Sequence, residues 1–155
     1  MEKTIPEKLS VLSAIAGALN GAHITWAVGA STLLYLRGLV PDFHDLDLMV
    51  DDRDALRARA LLQAMGTFHP SAREAKYRTN HFFEFVIHGV EVDLMGGFAI
   101  LKDGILHDCS LEPTRITERV TINGQSIPLD SLRAWRGYYA LMGRDAKTAL
   151  IDSAL

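Results

Sequence analysis

The sequence predicts an α+β fold: a mixed β-sheet with helices packed against it and a helical C-terminal tail. Three observations predict it. Helix and strand patterns alternate from the N-terminus to Met65. His88-Gly89 and Asn123-Gly124 each separate two apolar runs, which is the signature of antiparallel hairpins. Two helical segments, the first capped by Asp130 or Ser131, follow Leu129.

Each element has a local reason. Thr4-Ile5-Pro6-Glu7 reads as a capping box with Pro6 in the first turn, and Leu9, Leu12, Ile15, Ala16 and Leu19 continue it as one helical face to about Asn20-Gly21. Ile24 to Val28 is a short apolar strand. Gly29-Ala30-Ser31 is a turn, and Thr32 to Arg37 a short helix stopped by Gly38. Pro41 to His44 is a loop, and Asp45 to Val50 a strand. Asp51 or Asp52 caps a helix from Arg53 to Met65, with Gly66 at its end. His69 to Asn80 has no regular pattern. Phe82 to Ile87 and Val90 to Met95 form the first hairpin, and Gly96-Gly97 breaks it. Lys102-Asp103-Gly104 is a turn before Ile105 to Cys109. Val120 to Ile122 and Ser126 to Leu129 form the second hairpin. Asp130 or Ser131 caps a helix to about Met142, Gly143 stops it, and a last helix starts near Asp145.

The 155 residues, 48% hydrophobic, suffice for one core and not for two, so residues 1–155 are expected to form a single domain. A net charge of -3 and a pI near 6.0 give no basic footprint for nucleic acid. The single cysteine, Cys109, forms no internal disulfide and reads as a buried structural thiol. The N-terminus lacks a signal-peptide pattern, and the apolar stretch from Ile24 to Leu36 is too short to span a bilayer. A cytoplasmic protein with no membrane partner is expected.

The chemistry is concentrated in "WAVGASTLLYLRGLVPDFHDLDLMVDD". On a strand, side chains alternate between faces. Leu46, Leu48 and Val50 share one face, and Asp45 and Asp47 the other. In "VEVDLMGG", Val92 and Leu94 face one way and Asp93 the other. Like charges on one face repel, and burial raises the cost. Either these are solvated acids on an exposed face, or the strands are neighbours and the three carboxylates converge on a cation. Carboxylate oxygens suit Mg²⁺, which also takes water and phosphate oxygens. Gly29-Ala30-Ser31 offers the complementary half, a small-residue turn at a helix start whose N–H groups suit phosphate. Gly29 lets a phosphate approach the backbone. Ser31 either caps the helix or donates its hydroxyl to a phosphate.

The ordered set Gly29-x-Ser31, Asp45-x-Asp47 and Asp93, each acid flanked by apolar residues, resembles the nucleotidyltransferase superfamily with the DNA polymerase β-like fold. It is most similar to the small bacterial branch that includes the lincosamide and aminoglycoside nucleotidyltransferases and the AbiEii-type proteins. The motifs span residues 24–97, and the helices at about 131–155 resemble the helical tail of that branch. The resemblance implies transfer of a nucleoside monophosphate from an NTP, ATP first among candidates, to a hydroxyl of a small molecule or protein, with release of pyrophosphate. It also implies that Asp45 and Asp47 hold two Mg²⁺ ions with the triphosphate. Asp93 then completes the metal site or activates the acceptor hydroxyl, and Gly29, Ala30 and Ser31 cradle the nucleotide. Many relatives carry Gly at the place of Ala30, and Arg and Thr at the places of Pro41 and Phe43. Arg37, Arg73, Lys76, Arg78 and His44 are the candidates to supply phosphate contacts instead. The alternative within the same resemblance is a weak or inactive nucleotide-binding member that regulates a partner, as in a toxin–antitoxin pair.

A two-residue hairpin loop at His88-Gly89 sets Glu84 opposite Asp93, which makes Glu84 a candidate general base or an edge-strand acid in water. Because the catalytic core leaves few residues to close over an acceptor, a homodimer or a partner protein beside the site is expected.

Overall fold

The computed structural model describes residues 2–70 and 78–155. In chain order its elements are α1 (Ile5–Gly21), β1 (Trp26–Val28), α2 (Ala30–Leu36), β2 (Leu46–Val50), α3 (Ala55–Gln63), β3 (Thr67–His69), β4 (His81–Ile87), β5 (Val90–Gly96), β6 (Ala99–Lys102), β7 (Ile105–Asp108), β8 (Glu118–Ile122), β9 (Gln125–Leu129), α4 (Leu132–Leu141) and α5 (Asp145–Asp152). Seven strands form one sheet in the order β3-β4-β5-β2-β1-β9-β8, while β6 and β7 form a separate hairpin. β2 runs parallel to β5 and β1 parallel to β9; the other pairs are antiparallel. The fold is therefore α+β with a mixed sheet, as the sequence predicts.

Local chemistry accounts for the boundaries. Thr4 and Glu7 make the capping box that starts α1. Both hairpin dipeptides take positive φ at both residues, 48° and 78° at His88-Gly89 and 50° and 79° at Asn123-Gly124. That is the backbone of the tight turn whose twist matches paired strands. The core is the face on which Leu46, Leu48 and Leu94 are wholly buried, together with Leu12, Ile15 and Leu19 from α1 and Ala58 and Leu62 from α3. α1 and α3 pack beside one another across this face. Lys8, only 2% exposed, sends its ammonium to the Phe43 carbonyl and to Glu2, and so ties α1 to the loop before β2.

Several boundaries differ from expectation. α2 starts at Ala30 rather than Thr32, so its N-cap is Gly29, with no side-chain cap, and Ser31 is not a cap. A 3-10 turn at Asp52–Asp54 precedes α3 and takes residues expected in the helix. β3 follows Gly66 without any sequence signal, because it is an edge strand of three residues formed by pairing with β4. Among the described residues, no helix is long and apolar enough to cross a membrane.

Candidate active site

β2 and β5 are hydrogen-bonded neighbours, and their register pairs Asp47 directly with Asp93. The pleat turns both side chains away from the face that carries Leu46, Leu48, Val92 and Leu94. Asp45 lies one residue before β2, on the same side. One carboxylate oxygen from each of Asp45, Asp47 and Asp93 falls within 4.8 Å of the others. The register continues outward, with Glu84 opposite Asp93 and His69 opposite Glu84.

This cluster is electrostatically unfavourable when empty of cations. Burial, then the charges of Asp93 and Asp45, push the Asp47 carboxyl well above the usual range. Burial pushes Asp93 up to about 7, with Asp45, Glu84 and Glu91 adding to it. Burial and the neighbouring Glu91 raise Asp45 to about 6. Asp45 Oδ1 is buried and accepts no hydrogen bond, although the His44 ring lies 3.2 Å away. An orphaned carboxylate oxygen beside two further carboxylates is a donor set that fits a hard divalent cation.

The raised values carry a sign. The folded metal-free protein holds protons on Asp45 and Asp93 that the unfolded chain, near the ordinary aspartate value of 3.8, has released. Stability is therefore lost as pH rises from about 4 through about 7. In chelator, the melting temperature is expected to fall between pH 5 and pH 7.5, and a divalent cation should remove that slope. Thermal denaturation at several pH values, with and without metal, measures it; a flat profile in chelator would refute the buried cluster.

Above the acids lies a cleft of about 480 Å³. Its floor holds the three aspartates and the start of α2, Ala30 and Ser31. Its far wall comes from α4 and α5, with Trp135, Tyr139, Met142, Arg144 and Lys147. Opposite charges thus face each other across one cleft. A second cavity of about 360 Å³ opens on the β4 side, lined by Asp45, His69, Glu84, Glu91 and Asp93 among others.

The other predicted site residues fall as follows. Ser31 donates its hydroxyl to Asp47 Oδ2 at 3.3 Å. Ala30 has φ of 48°, a left-handed conformation that disfavours a β-carbon. The Gly29 N–H donates to the Asp47 carbonyl at 2.9 Å, and a β-carbon there would sit 2.6 Å from the Trp135 ring. The glycine admits an indole. Arg37 lies elsewhere, paired with Glu118 on a cavity shared with Arg115 and Arg133. His44 is held by Glu2 and Glu91 and does not line the cleft. The hydrogen bond with Glu2, then the charge of Asp45, holds the His44 ring's pKa above its ordinary value. Arg78 is exposed, and Arg73 and Lys76 lie outside the described residues. Phe43 is buried against Tyr35, so that position serves the core.

The sequence pattern singles out neither Arg144 nor Lys147; for Trp135, Tyr138, Tyr139 and Met142 it suggests a packing stripe, with stacking of Trp135 or Tyr138 on a base or acceptor as the alternative. Trp135 does pack, on Phe98 and Tyr138, but it also lines the cleft. The three-residue spacing of Arg144 and Lys147 at the start of the last helix was the available signal, since it puts both on one side of the first turn.

No curated protein sequence matches the chain. Among solved structures, a Thermotoga maritima protein assigned as a nucleotidyltransferase is 27% identical over 98% of this chain and 94% of its own, with a TM-score of 0.75. The antibiotic-resistance factor ANT(2'')-Ia is 12% identical over 97% of this chain and 85% of its own, with a TM-score of 0.70, and shares the fold. So does the lincosamide adenylyltransferase LnuA, 13% identical over the whole of both chains, with a TM-score of 0.61. The sequence profile of the aminoglycoside-2''-adenylyltransferases matches residues 11–153. With a nucleotidyltransferase fold and a family match over nearly its whole length, this chain belongs to the aminoglycoside-2''-adenylyltransferase family and is a nucleotidyltransferase.

Proposed function

We propose that the protein transfers an adenylyl group from ATP to a hydroxyl of a polycationic amino sugar of the aminoglycoside class. One observation carries the reading: a buried carboxylate, Asp47, converges with two half-buried ones, Asp45 and Asp93, which line both of two adjoining cavities, one walled by cations and one by acids. The cleft with Arg144 and Lys147 suits a triphosphate. The cavity lined by Asp45, Glu84, Glu91 and Asp93 suits an acceptor bearing ammonium groups, because complementary charge selects partners and opposes mismatched ones. The name of the family supports both the adenylyl donor and the acceptor class. A structural neighbour, ANT(2'')-Ia, has been crystallised with adenylyl-2''-tobramycin.

Asp45, Asp47 and Asp93 would hold the divalent cation, for which Mg²⁺ is the match to an all-carboxylate set. Bound there, it supplies positive charge to the triphosphate and to the acids that otherwise repel each other. Ala30 and Ser31 line the side of the cleft where the phosphates sit, and Arg144 and Lys147 take charge on the opposite wall. The indole of Trp135 and the ring of Tyr139 give the cleft its apolar part. In the reaction, the acceptor oxygen forms a bond to the α-phosphorus and the bond from that phosphorus to pyrophosphate breaks. The hydroxyl proton passes to a carboxylate on the acceptor side. Glu84, opposite Asp93 and lining the acidic cavity, is the base in this reading.

The test incubates the protein with ATP and Mg²⁺ and, in parallel, an aminoglycoside, a lincosamide or neither. Pyrophosphate release and the mass of the acceptor are followed. The expected result is an adenylylated aminoglycoside, and Lys147→Ala should raise the KM for ATP by about 10-fold or more, the loss of one charge-assisted contact. Adenylylation of the lincosamide alone would overturn the acceptor class. Absence of product and pyrophosphate from a protein that binds ATP would overturn the transfer.

A further inference from the structure

We infer that Thr32 is the positioning residue that fixes the spacing of Asp45 and Asp47. The inference rests on the reading of those acids as cation ligands. Its basis is where β1 ends. β1 pairs with β2 only as far as Val28 opposite Leu48, and the chain then turns into α2. The backbone groups of Asp47 and Asp45 on that edge are therefore left without a strand partner, at the two residues that carry the carboxylates.

Two groups take the place of the missing strand. The Gly29 N–H donates to the Asp47 carbonyl at 2.9 Å. The Thr32 hydroxyl does the rest: it donates to the Asp45 carbonyl at 3.0 Å and accepts the Asp47 N–H at 3.0 Å. A hydroxyl has one donor and two lone pairs, so both bonds form at once. A single side chain thus supplies a donor and an acceptor, as a peptide unit of a neighbouring strand would.

Thr32 is wholly buried, on the first turn of α2 immediately after Ser31, whose hydroxyl reaches the Asp47 carboxylate. Residues 31 and 32 consequently hold the same aspartate at two points, one at the side chain and one at the backbone. Because Asp45 and Asp47 are held through one oxygen atom, the backbone that carries their carboxylates cannot shift without breaking a buried hydrogen bond. An unpaired N–H or C=O at this depth is costly. Thr32 touches neither substrate nor reacting atoms in this account; it acts through the backbone of the two acids.

Thr32→Val keeps the shape and removes both bonds, and Thr32→Ser keeps the hydroxyl and removes the methyl. Mn²⁺ is the probe, its free signal followed by electron paramagnetic resonance in the folded protein without nucleotide. Thr32→Val is expected to weaken Mn²⁺ binding by about 10- to 100-fold, as loss of support behind a metal ligand does, with Thr32→Ser within about threefold of the parent. If Thr32→Val does not fold, Thr32→Ala carries the same expectation. Parent-like Mn²⁺ affinity in a folded variant without the hydroxyl would overturn the inference and leave the metal reading standing. So would a Thr32→Ser variant as weak as Thr32→Val, since packing of the methyl would then be the cause. A parent that binds no Mn²⁺ would overturn the metal reading and the inference with it.

Discussion

Asp47→Asn is expected to abolish transfer while making the metal-free protein more stable. The two effects have one origin. Asp47 is the most enclosed of the three acids, and burial together with Asp93 and Asp45 disfavours its charge. Asparagine keeps the shape and removes that charge, so in chelator at neutral pH the melting temperature should rise or hold. The same charge, on the proposed reading, contributes several kcal/mol to holding the cation at the reacting phosphate, and its loss should lower kcat/KM by about a thousandfold or more. Mg²⁺ with ATP should stabilise the parent by about 2.7 kcal/mol at a hundredfold excess over Kd, a shift of several degrees for a domain of this size. The variant should lose most of that shift. Thermal denaturation of parent and variant, each with chelator and with Mg²⁺ and ATP, reads all four states. Equal ligand-induced shifts in the two proteins would remove Asp47 from the cation site.

The second large effect is expected at Gly29→Ala. The backbone there is extended, with φ of -131° and ψ of -172°, which alanine adopts without strain. The cost is steric. A β-carbon would lie 2.6 Å from Cζ2 and 2.9 Å from Cε2 of Trp135. That indole has little room to yield: it stacks on Phe98, meets Tyr138 and Tyr139, and donates its Nε1–H to the buried Asp130 at 3.1 Å. Overpacking of this kind costs about 1–3 kcal/mol, so the melting temperature should fall by about 2–4 °C for each of those kcal/mol. Since Trp135 also walls the cleft, the KM for ATP should rise as well. Trp135→Phe removes the clashing part of the ring. The double variant should be destabilised by less than the sum of the two single changes, with a coupling of about 0.5–3 kcal/mol. Strict additivity would mean that the indole and Gly29 are not in contact.

The convergence of Asp45, Asp47 and Asp93 was legible because strand periodicity is local. Apolar residues at 46, 48, 92 and 94 fix which way the acids point, and adjacency of the two strands does the rest. The Glu84–Asp93 pairing was legible for a similar reason, since the two-residue turn at His88-Gly89 sets the register of everything behind it. Arg37 and His44 were chosen by nearness in sequence, and the fold turned Arg37 toward Glu118 and His44 toward Glu2 and Glu91. Spacing along the chain says nothing about a side chain whose partners lie on a distant element.

By itself the sequence determined the α+β class, the two hairpins and the acid-bearing face, all of which follow from patterns within a few residues. Only the tertiary structure decided that the last two helices fold over those acids. It set Trp135 on Gly29 and brought Arg144 and Lys147 across the cleft from Asp47. It also decided that Thr32 replaces a strand that ends too early. Those contacts join residues about a hundred positions apart, or depend on where a neighbouring strand stops. They arise from packing and from the need to satisfy buried backbone groups, which no local pattern encodes.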